Sequence, residues 1–580
     1  MTRRNLLLVA ALAVVGVSLA AYYGLRRPTR AAMERYIPAT ALAFIEVENL
    51  PDVLDGLTDT RAWRELAPAL GVSSQLRQLG TASDLVSRTG LGPDEAVVAG
   101  RAQYAVALTG FEAEAGNTPE GPFLRLRPRV ALIIETHSKA EVADRIVRER
   151  AAMLAQRIYS EPANQSEEDY FGARLLIFQG PQPDRQFVAA SSGSRIVIAN
   201  HISAIKPCLD TISNRAESLA TDSTLNQLRP TVDKGGAVFA FVTRTGIEKL
   251  AEFGPAIIAS RMTTDPDKLG TIAGLFGHLS KQTTTGLLYG SEFTPEGVTE
   301  RYLTVLRERV AQALAEPMKP AASQSFKSLE LIPRAIEEFT VFNVEDAGEL
   351  PERLLKQLTP NVDLVAGMAF REFVINFNRQ LGLAPGDGAA KAVGSEVALV
   401  KFSDEEPTGM LISVKDRAAL EAVVQRYLTE DAASVSSEQY SGIDIAISSN
   451  PDGRAAAFIG PFLTLATRDQ IAKIVDARSS GVTIAADRSI TEMLQPAGAK
   501  ASIISFEPDS TDAGEMMLSV SKITRTTDGS LDLLESEEVR KAMDRLPPSV
   551  SFTSFQSAGI YTEVRSAVGS FGLLGRTLRD

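Results

Sequence analysis

Three histidines, His137, His201 and His278, are the only imidazoles in the chain, and imidazole is the side chain best suited to proton transfer or metal ligation near neutral pH. They fall in three distant segments, so a histidine site requires the fold to gather them; otherwise they are loop or helix-start residues. Ser203-Ala-Ile-Lys206 and Ser519-Val-Ser-Lys522 each place a lysine one helical turn after a serine, the spacing of serine acyl enzymes. Neither has a companion K-T-G or S-D-N element, so the spacing alone nominates no nucleophile. "DPDKLG" from Asp265 puts carboxylates at the first and third positions of a calcium loop and glycine at the sixth. Leu269 then holds the fifth position and Phe276 the twelfth, where a bidentate glutamate is needed. "EPDSTDAGE" from Glu507 fails in the same way at Val520. The single cysteine, Cys208 in "AIKPCLD", has no evident histidine partner and reads as a small buried hydrophobe on a helix. There is no G-x-S-x-G elbow and no G-x-x-x-x-G-K-[ST] phosphate loop, and the glycines of "GTIAGLFG" are misspaced for a dinucleotide turn. The residue types therefore nominate no catalytic, cofactor-binding or metal-ligating side chain and no cofactor, and they lean away from an enzyme.

The elements that would position any such group belong to a long chain. At 580 residues it exceeds one compact core and predicts several units of roughly 100 to 200 residues. A hydrophobic content of 44% with 23% charged residues is that of a folded protein. The formal net charge of −12 sets the average surface against nucleic acid. One cysteine forms no intramolecular disulfide, which excludes a disulfide-stapled secreted scaffold.

After "MTRR", Leu6 to Leu25 gives twenty residues without a charge, bracketed by Arg3/Arg4 and Arg26/Arg27. In a helix such a run spans a hydrocarbon layer of about 30 Å. Tyr22 and Tyr23 sit where an interfacial aromatic belt belongs. Residues 1–30 are thus expected to be an N-terminal membrane anchor contacting the bilayer through Leu6 to Leu25, with the acidic body outside the cytoplasm. The alternative is a signal peptide cleaved near Ala20, at Ser18-Leu19-Ala20, releasing a secreted body. No lipobox cysteine follows the apolar run.

Beyond the anchor the chain repeats itself. "YFGARLLIF" from Tyr170 and "YSGIDIAIS" from Tyr440 each open a series of strand, turn, strand and helix. Tyr170 aligns with Tyr440, Gly172 with Gly442, Ala199 with Ala466, Ile205 with Ile471, Asp210 with Asp476, Asp222 with Asp487 and Pro230 with Pro496. Upstream, "RPRVALIIETHSKAEVADRIVRERAAML" parallels "EPTGMLISVKDRAALEAVVQRYL". In the first, Ser138 and Glu141 suggest a capping box, with Val142, Ile146 and Leu154 on one helix face. In the second, Asp416 is the expected N-cap, with Leu420, Val423, Val424, Tyr427 and Leu428 as the apolar stripe. "YIPATALAFIEVENL" matches "LIPRAIEEFTVFNVED", and "GVTERYLTV" from Gly297 matches "GIYTEVRSAV" from Gly559 as closing strands. The domain reading is residues 1–30 anchor, 31–318 first α+β repeat unit, 319–324 linker and 325–580 second α+β repeat unit. Turns such as "SSGS" and "NPDG" between consecutive strands imply antiparallel hairpins, hence an α+β class with a mostly antiparallel sheet covered by helices. The aligned residues are Gly, Pro, Tyr, aliphatics and Asp. The Tyr is expected to pack against the sheet and the Gly to permit a turn or bulge.

The anchor, the "IPATALAFIEV" opening and the repeated "IVIAN…I…LD" and "LTLAT…I…VD" patterns resemble a bacterial family of uncharacterised exported proteins, domain of unknown function 3352. That resemblance covers most of the chain after residue 30. It implies an envelope location and a repeated α+β body, and supplies no catalytic residues. The expected function is a non-catalytic, membrane-anchored (single-pass, inner-membrane, periplasmic) scaffold or binding surface for an envelope protein, lipid or cell-wall partner. The alternatives are an envelope hydrolase assembled between the two repeats and a carrier of an apolar ligand.

Overall fold

The computed structural model describes residues 30–47, 50–70, 93–118, 121–159, 163–181, 185–252, 277–321, 326–364, 366–368, 371–372, 374–375, 388–403, 405–429, 433–450, 453–494, 500–507, 513–514 and 536–570. Leu6 to Leu25, Asp265, Ser519 and Lys522 lie outside them. The protein is α+β, and the described residues form two compact units. One runs to Gly246 and takes in Leu288–Pro295; the other comprises Ile247–Leu287 and the described chain from Glu296 onward.

In the first unit the strands are β1 (Ala43–Val47), β2 (Gln103–Thr118), β3 (Gly121–Glu135), β4 (Asn164–Tyr170), β5 (Ala173–Gln179), β6 (Gln186–Ser192), β7 (Arg195–Ala199) and β8 (Val238–Val242). They pair antiparallel throughout in the order β4-β5-β6-β7-β3-β2-β1-β8. β9 (Thr284–Thr294) and β10 (Gly297–Leu306) follow in the chain. Helix α1 (Ala140–Ile158) lies on β5 to β7, and α2 (Ile202–Ile212) and α3 (Ser223–Val232) follow it; the helices Leu50–Asp59, Arg61–Ala69 and Asp94–Arg101 precede it in the same unit. On α1 the deepest side chains are Ala143, Val147, Ala151 and Ala155; Ile146 and Leu154 pack at the margin. The N-cap of α1 is Lys139, with no side-chain cap. Ser138 does not form the expected capping box, because its hydroxyl is engaged by Thr136 Oγ1 at 2.6 Å.

The second unit repeats this order. Its strands are β11 (Glu338–Asn343), β12 (Val393–Lys401), β13 (Gly409–Val414), β14 (Val435–Tyr440), β15 (Ile443–Ser448), β16 (Arg454–Ile459), β17 (Phe462–Thr467), β18 (Ile503–Glu507), β19 (Ser549–Gln556) and β20 (Gly559–Ser566). They pair as β14-β15-β16-β17-β13-β12-β11-β18-β19-β20-β10. The first eight positions match the first unit strand for strand. Helices α4 (Arg417–Leu428), α5 (Arg468–Ser480) and α6 (Arg488–Leu494) take the places of α1, α2 and α3. Asp416 caps α4 through Ala419 N–H at 3.3 Å, and Leu420, Val423, Val424 and Leu428 are buried, as the stripe requires.

Small contacts repeat too. Pro38 bridges Ser218 as Pro333 bridges Thr483, and Leu219 N–H donates to Ile37 O at 2.9 Å as Ile484 N–H does to Ile332 O at 2.9 Å. The tips of β4–β5 and β14–β15 are two-residue turns. Phe171 and Gly172 have φ of 53° and 85°, Ser441 and Gly442 of 50° and 81°, the double left-handed geometry of a type I′ hairpin. The two closing strands pair with each other, Val298 to Ser566 through Val305 to Gly559, so β10 packs within the second unit. Gly297 and Gly559 allow this. A Cβ on Gly297 would stand 2.2 Å from Ser566 O, and one on Gly559 2.0 Å from Thr304 O.

Candidate functional site

The residues singled out for chemistry do not converge. The His201 ring caps α2, accepting from Ser203 N–H at 3.1 Å and bonding Ser203 Oγ at 2.7 Å. Lys206, one turn on, pairs with Glu168 at 2.8 Å. Serine and lysine of the S-x-x-K spacing are thus held by different partners. His278 bonds Asp363 and Gln282 at the surface. Cys208 is fully buried, its thiol donating to Ala204 O at 3.4 Å, and burial pushes it up to about 12. Among the described residues no group of three or more His, Cys, Asp or Glu is arranged to hold a metal.

Tyr170 and Tyr440 do not simply pack on the sheet. Each hydroxyl donates across to the helix that follows its hairpin, Tyr170 to Asp210 at 2.9 Å and Tyr440 to Asp476 at 2.9 Å. The two aligned residue pairs are thus one interaction, made twice. A cation covers each ring, Lys206 over Tyr170 at 5.0 Å and Arg468 over Tyr440 at 5.1 Å. A contact common to both units ties hairpin to helix and so belongs to the framework.

The exceptional chemistry lies where the units differ. In the first, the short 3-10 helix Met33–Tyr36 carries two polar side chains into two charged networks. Arg229 of α3 pairs with Glu34 at 3.1 Å, with Glu46 of β1 at 2.9 Å and with Asp233 at 2.8 Å. Its guanidinium lies 4.3 Å from the Phe239 ring centroid. Burial alone would pull the Arg229 group down, but Glu46, Asp233 and Glu34 outweigh it and hold its pKa above the ordinary value. Glu46 is on the same side of β1 as the fully buried Phe44, with only 5% of its surface exposed. A cleft of about 360 Å³ opens beside Arg229, lined also by Arg30, Ala31, Ala32 and Gly235.

Tyr36 joins the second network. Its hydroxyl donates to Glu135 Oε2 at 3.2 Å and receives from Arg195 at 3.1 Å, while Arg195 Nε reaches Glu135 at 3.0 Å and its guanidinium stacks 4.5 Å from the Tyr36 ring. His137 donates its backbone N–H to Glu135 Oε1 at 3.1 Å and its ring Nε2 meets Gln103 Oε1 at 3.0 Å. At φ 49° it holds a left-handed conformation uncommon for a non-glycine residue. Burial would raise the Glu135 carboxyl, but hydrogen bonds from Ser194 and His137 with the charge of Arg195 bring it below its usual range. Burial pushes the His137 imidazole below 6.5, against the opposing pull of Glu135.

Equivalent positions in the second unit follow from strand register and helix caps. Glu34, Tyr36 and Glu46 correspond to Leu329, Leu331 and Val341; Arg195 corresponds to Phe462, and Arg229 to Leu494. These five hydrophobics all belong to one buried core cluster. Glu135 corresponds to Ser413 and Phe239 to Ile504. The Gln103 position also stays polar: Glu396 accepts from Ser328 N–H at 2.7 Å and Lys327 N–H at 3.0 Å, where Gln103 accepts from Ala31 N–H at 2.6 Å. Replacing a buried ion network by hydrophobics of similar volume is often neutral or stabilising, and the second unit holds hydrophobics at the equivalent positions of this largely buried network. The retained charges of the first unit therefore mark it as the candidate site. Sequence spacing concealed it, because Glu34 and Arg229 meet across 195 positions; the usable signal was a set of aligned positions where one copy is charged and the other apolar.

No protein-family model, no curated protein and no solved structure matches the chain.

Proposed function

We propose that this is a single-pass, membrane-anchored protein of the bacterial cell envelope. Its tandemly duplicated α+β body lies in the periplasm and binds an envelope protein, lipid or cell-wall partner without catalysis. The second unit is the scaffold, and recognition belongs to the charged cleft of the first. The observation carrying this reading is the replacement of Glu34, Tyr36, Glu46, Arg195 and Arg229 by Leu329, Leu331, Val341, Phe462 and Leu494 at equivalent positions. Charges that stability does not require are retained for another purpose. The apolar run Leu6 to Leu25 and the resemblance to exported proteins support the location.

The test is a combined variant, Glu34→Leu, Glu46→Val and Arg229→Leu, which gives the cleft the side chains of the second unit. Partners captured from detergent extracts by the wild-type chain should be lost with this variant at unchanged fold; full retention removes recognition from the cleft. For location, protease added to spheroplasts should digest the body and spare it in intact cells. Protection in both sinks the outward orientation.

A further inference from the structure

A second cavity in the first unit uses none of the charged residues above. It has a volume of about 180 Å³ and lies between the sheet, α1 and the helix Asp94–Arg101, with Val98, Val147, Ala151, Leu154, Phe187 and Tyr104 in its wall. Ion pairs Arg145–Asp94 and Arg150–Glu95 join the two helices, and both residues of the latter pair line the cavity. The pocket is partly open to solvent, and its volume is close to the roughly 150 Å³ of a designed apolar cavity in another protein that takes up benzene, which leaves room for a small ring or a short branched acyl group.

Three observations separate it from an ordinary packing gap. Aligning the caps Lys139 and Asp416 sets Ala143 opposite Leu420, Ala151 opposite Leu428 and Arg150 opposite Tyr427. The second unit places a buried leucine, Leu428, where the first has Ala151 in the cavity wall. Tyr104, opposite Val397 by strand register, brings a phenol into the apolar wall. Among the described residues that hydroxyl has no hydrogen-bond partner, and burial raises its pKa. Tyr104 is half-buried, and its hydroxyl is a donor that a ligand oxygen in the cavity can engage.

We infer that this cavity binds a small, compact apolar molecule bearing one hydrogen-bond acceptor, its body against Val98, Val147, Ala151 and Phe187 and its acceptor on the Tyr104 hydroxyl. The inference goes beyond the proposed partner recognition and stands or falls apart from it, since the charged cleft shares no residue with this wall.

The probe is cyclohexanone, titrated by calorimetry into the full chain in detergent and, in parallel, into the Ala151→Leu chain, with the same detergent without protein as the blank for micelle partitioning. Saturable binding is expected for the wild type, reduced at least tenfold by Ala151→Leu, with the thermal midpoint of that variant raised because its leucine fills the space. Tyr104→Phe should weaken cyclohexanone about fivefold, one neutral hydrogen bond, and leave methylcyclohexane unaffected. No saturable binding by the wild type overturns the proposal. So does undiminished binding by Ala151→Leu, or a lowered midpoint showing that the space was already full. Equal binding of cyclohexanone by Tyr104→Phe overturns the role of the hydroxyl.

Discussion

The two units share eight strands in one order and three helices in the same places, yet one centre is charged and the other apolar. Around Met33–Tyr36 an arginine is matched to three carboxylates; around Leu329 and Leu331 the same backbone closes on leucine, valine and phenylalanine. The fold therefore does not need the charges. What the difference teaches is that topology is set by features common to both units, the I′ turns, the Tyr–Asp ties and the Pro bridges, while the centre is free to vary.

The sharpest way to break the comparison is to remove one charge at a time. Arg229→Leu alone strands Glu34, Glu46 and Asp233 in a half-buried site and should cost about 3–5 kcal/mol in urea denaturation. Adding Glu34→Leu and Glu46→Val should recover most of that loss, and failure to recover would mean that the two centres are not interchangeable. Conversely, Leu494→Arg in the second unit buries a charge without a carboxylate and should be as damaging as Arg229→Leu.

Acidity separates the units by sign. His137 has its pKa lowered by burial, so between that value and 6.5 the unfolded chain binds more protons and the first unit weakens as pH falls. Glu396 is raised by burial, which outweighs its hydrogen bonds, so from 4.5 upward to its raised value the folded second unit holds the extra proton and weakens as pH rises. Amide exchange read by mass spectrometry should show protection of β3 and α1 falling on acidification below pH 6.5. Protection of β12 should fall as pH increases from 4.5, and Glu396→Gln should abolish that trend. Parallel pH trends in the two units would refute the assignment.

Smaller effects test the likeness. Tyr170→Phe and Tyr440→Phe should each loosen their hairpins slightly and to similar extents, seen as faster exchange at β4–β5 and β14–β15; a tenfold disparity would show that only one tie matters. Smallest of all, Phe171→Asn places a residue tolerant of left-handed backbone at an exposed turn position and should stabilise the first unit by a few tenths of a kcal/mol.

Much of the architecture was legible from periodicity and alignment. The antiparallel hairpins, the Asp416 cap and the apolar stripe of α4 formed as their residues dictate. The α1 cap did not, because Ser138 is consumed by Thr136 and a capping signature cannot announce a competing neighbour. The Tyr–Asp ties were half visible: both residues aligned, but 40 and 36 positions separate the partners, and alignment carries no distance. The charged centre was hidden more deeply. Attention to what the two copies share selects framework residues, and Glu46 in "AFIEV" looks like the polar member of an ordinary alternating strand until β1 is seen facing the core.

The pairing of β10 with β20 bears on the order in which the chain can fold. Gly559–Ser566 sits between β19 and Gly297–Leu306, so a strand made midway through synthesis must wait with an open edge for one made more than 250 residues later. Loop closure over that length is slow, and an open edge is an invitation to mispairing. The backbone approach at Gly297 and Gly559 admits no side chain on either side, so a Cβ at either position would push the two closing strands apart. Any substitution there would be felt first as aggregation of the half-finished sheet.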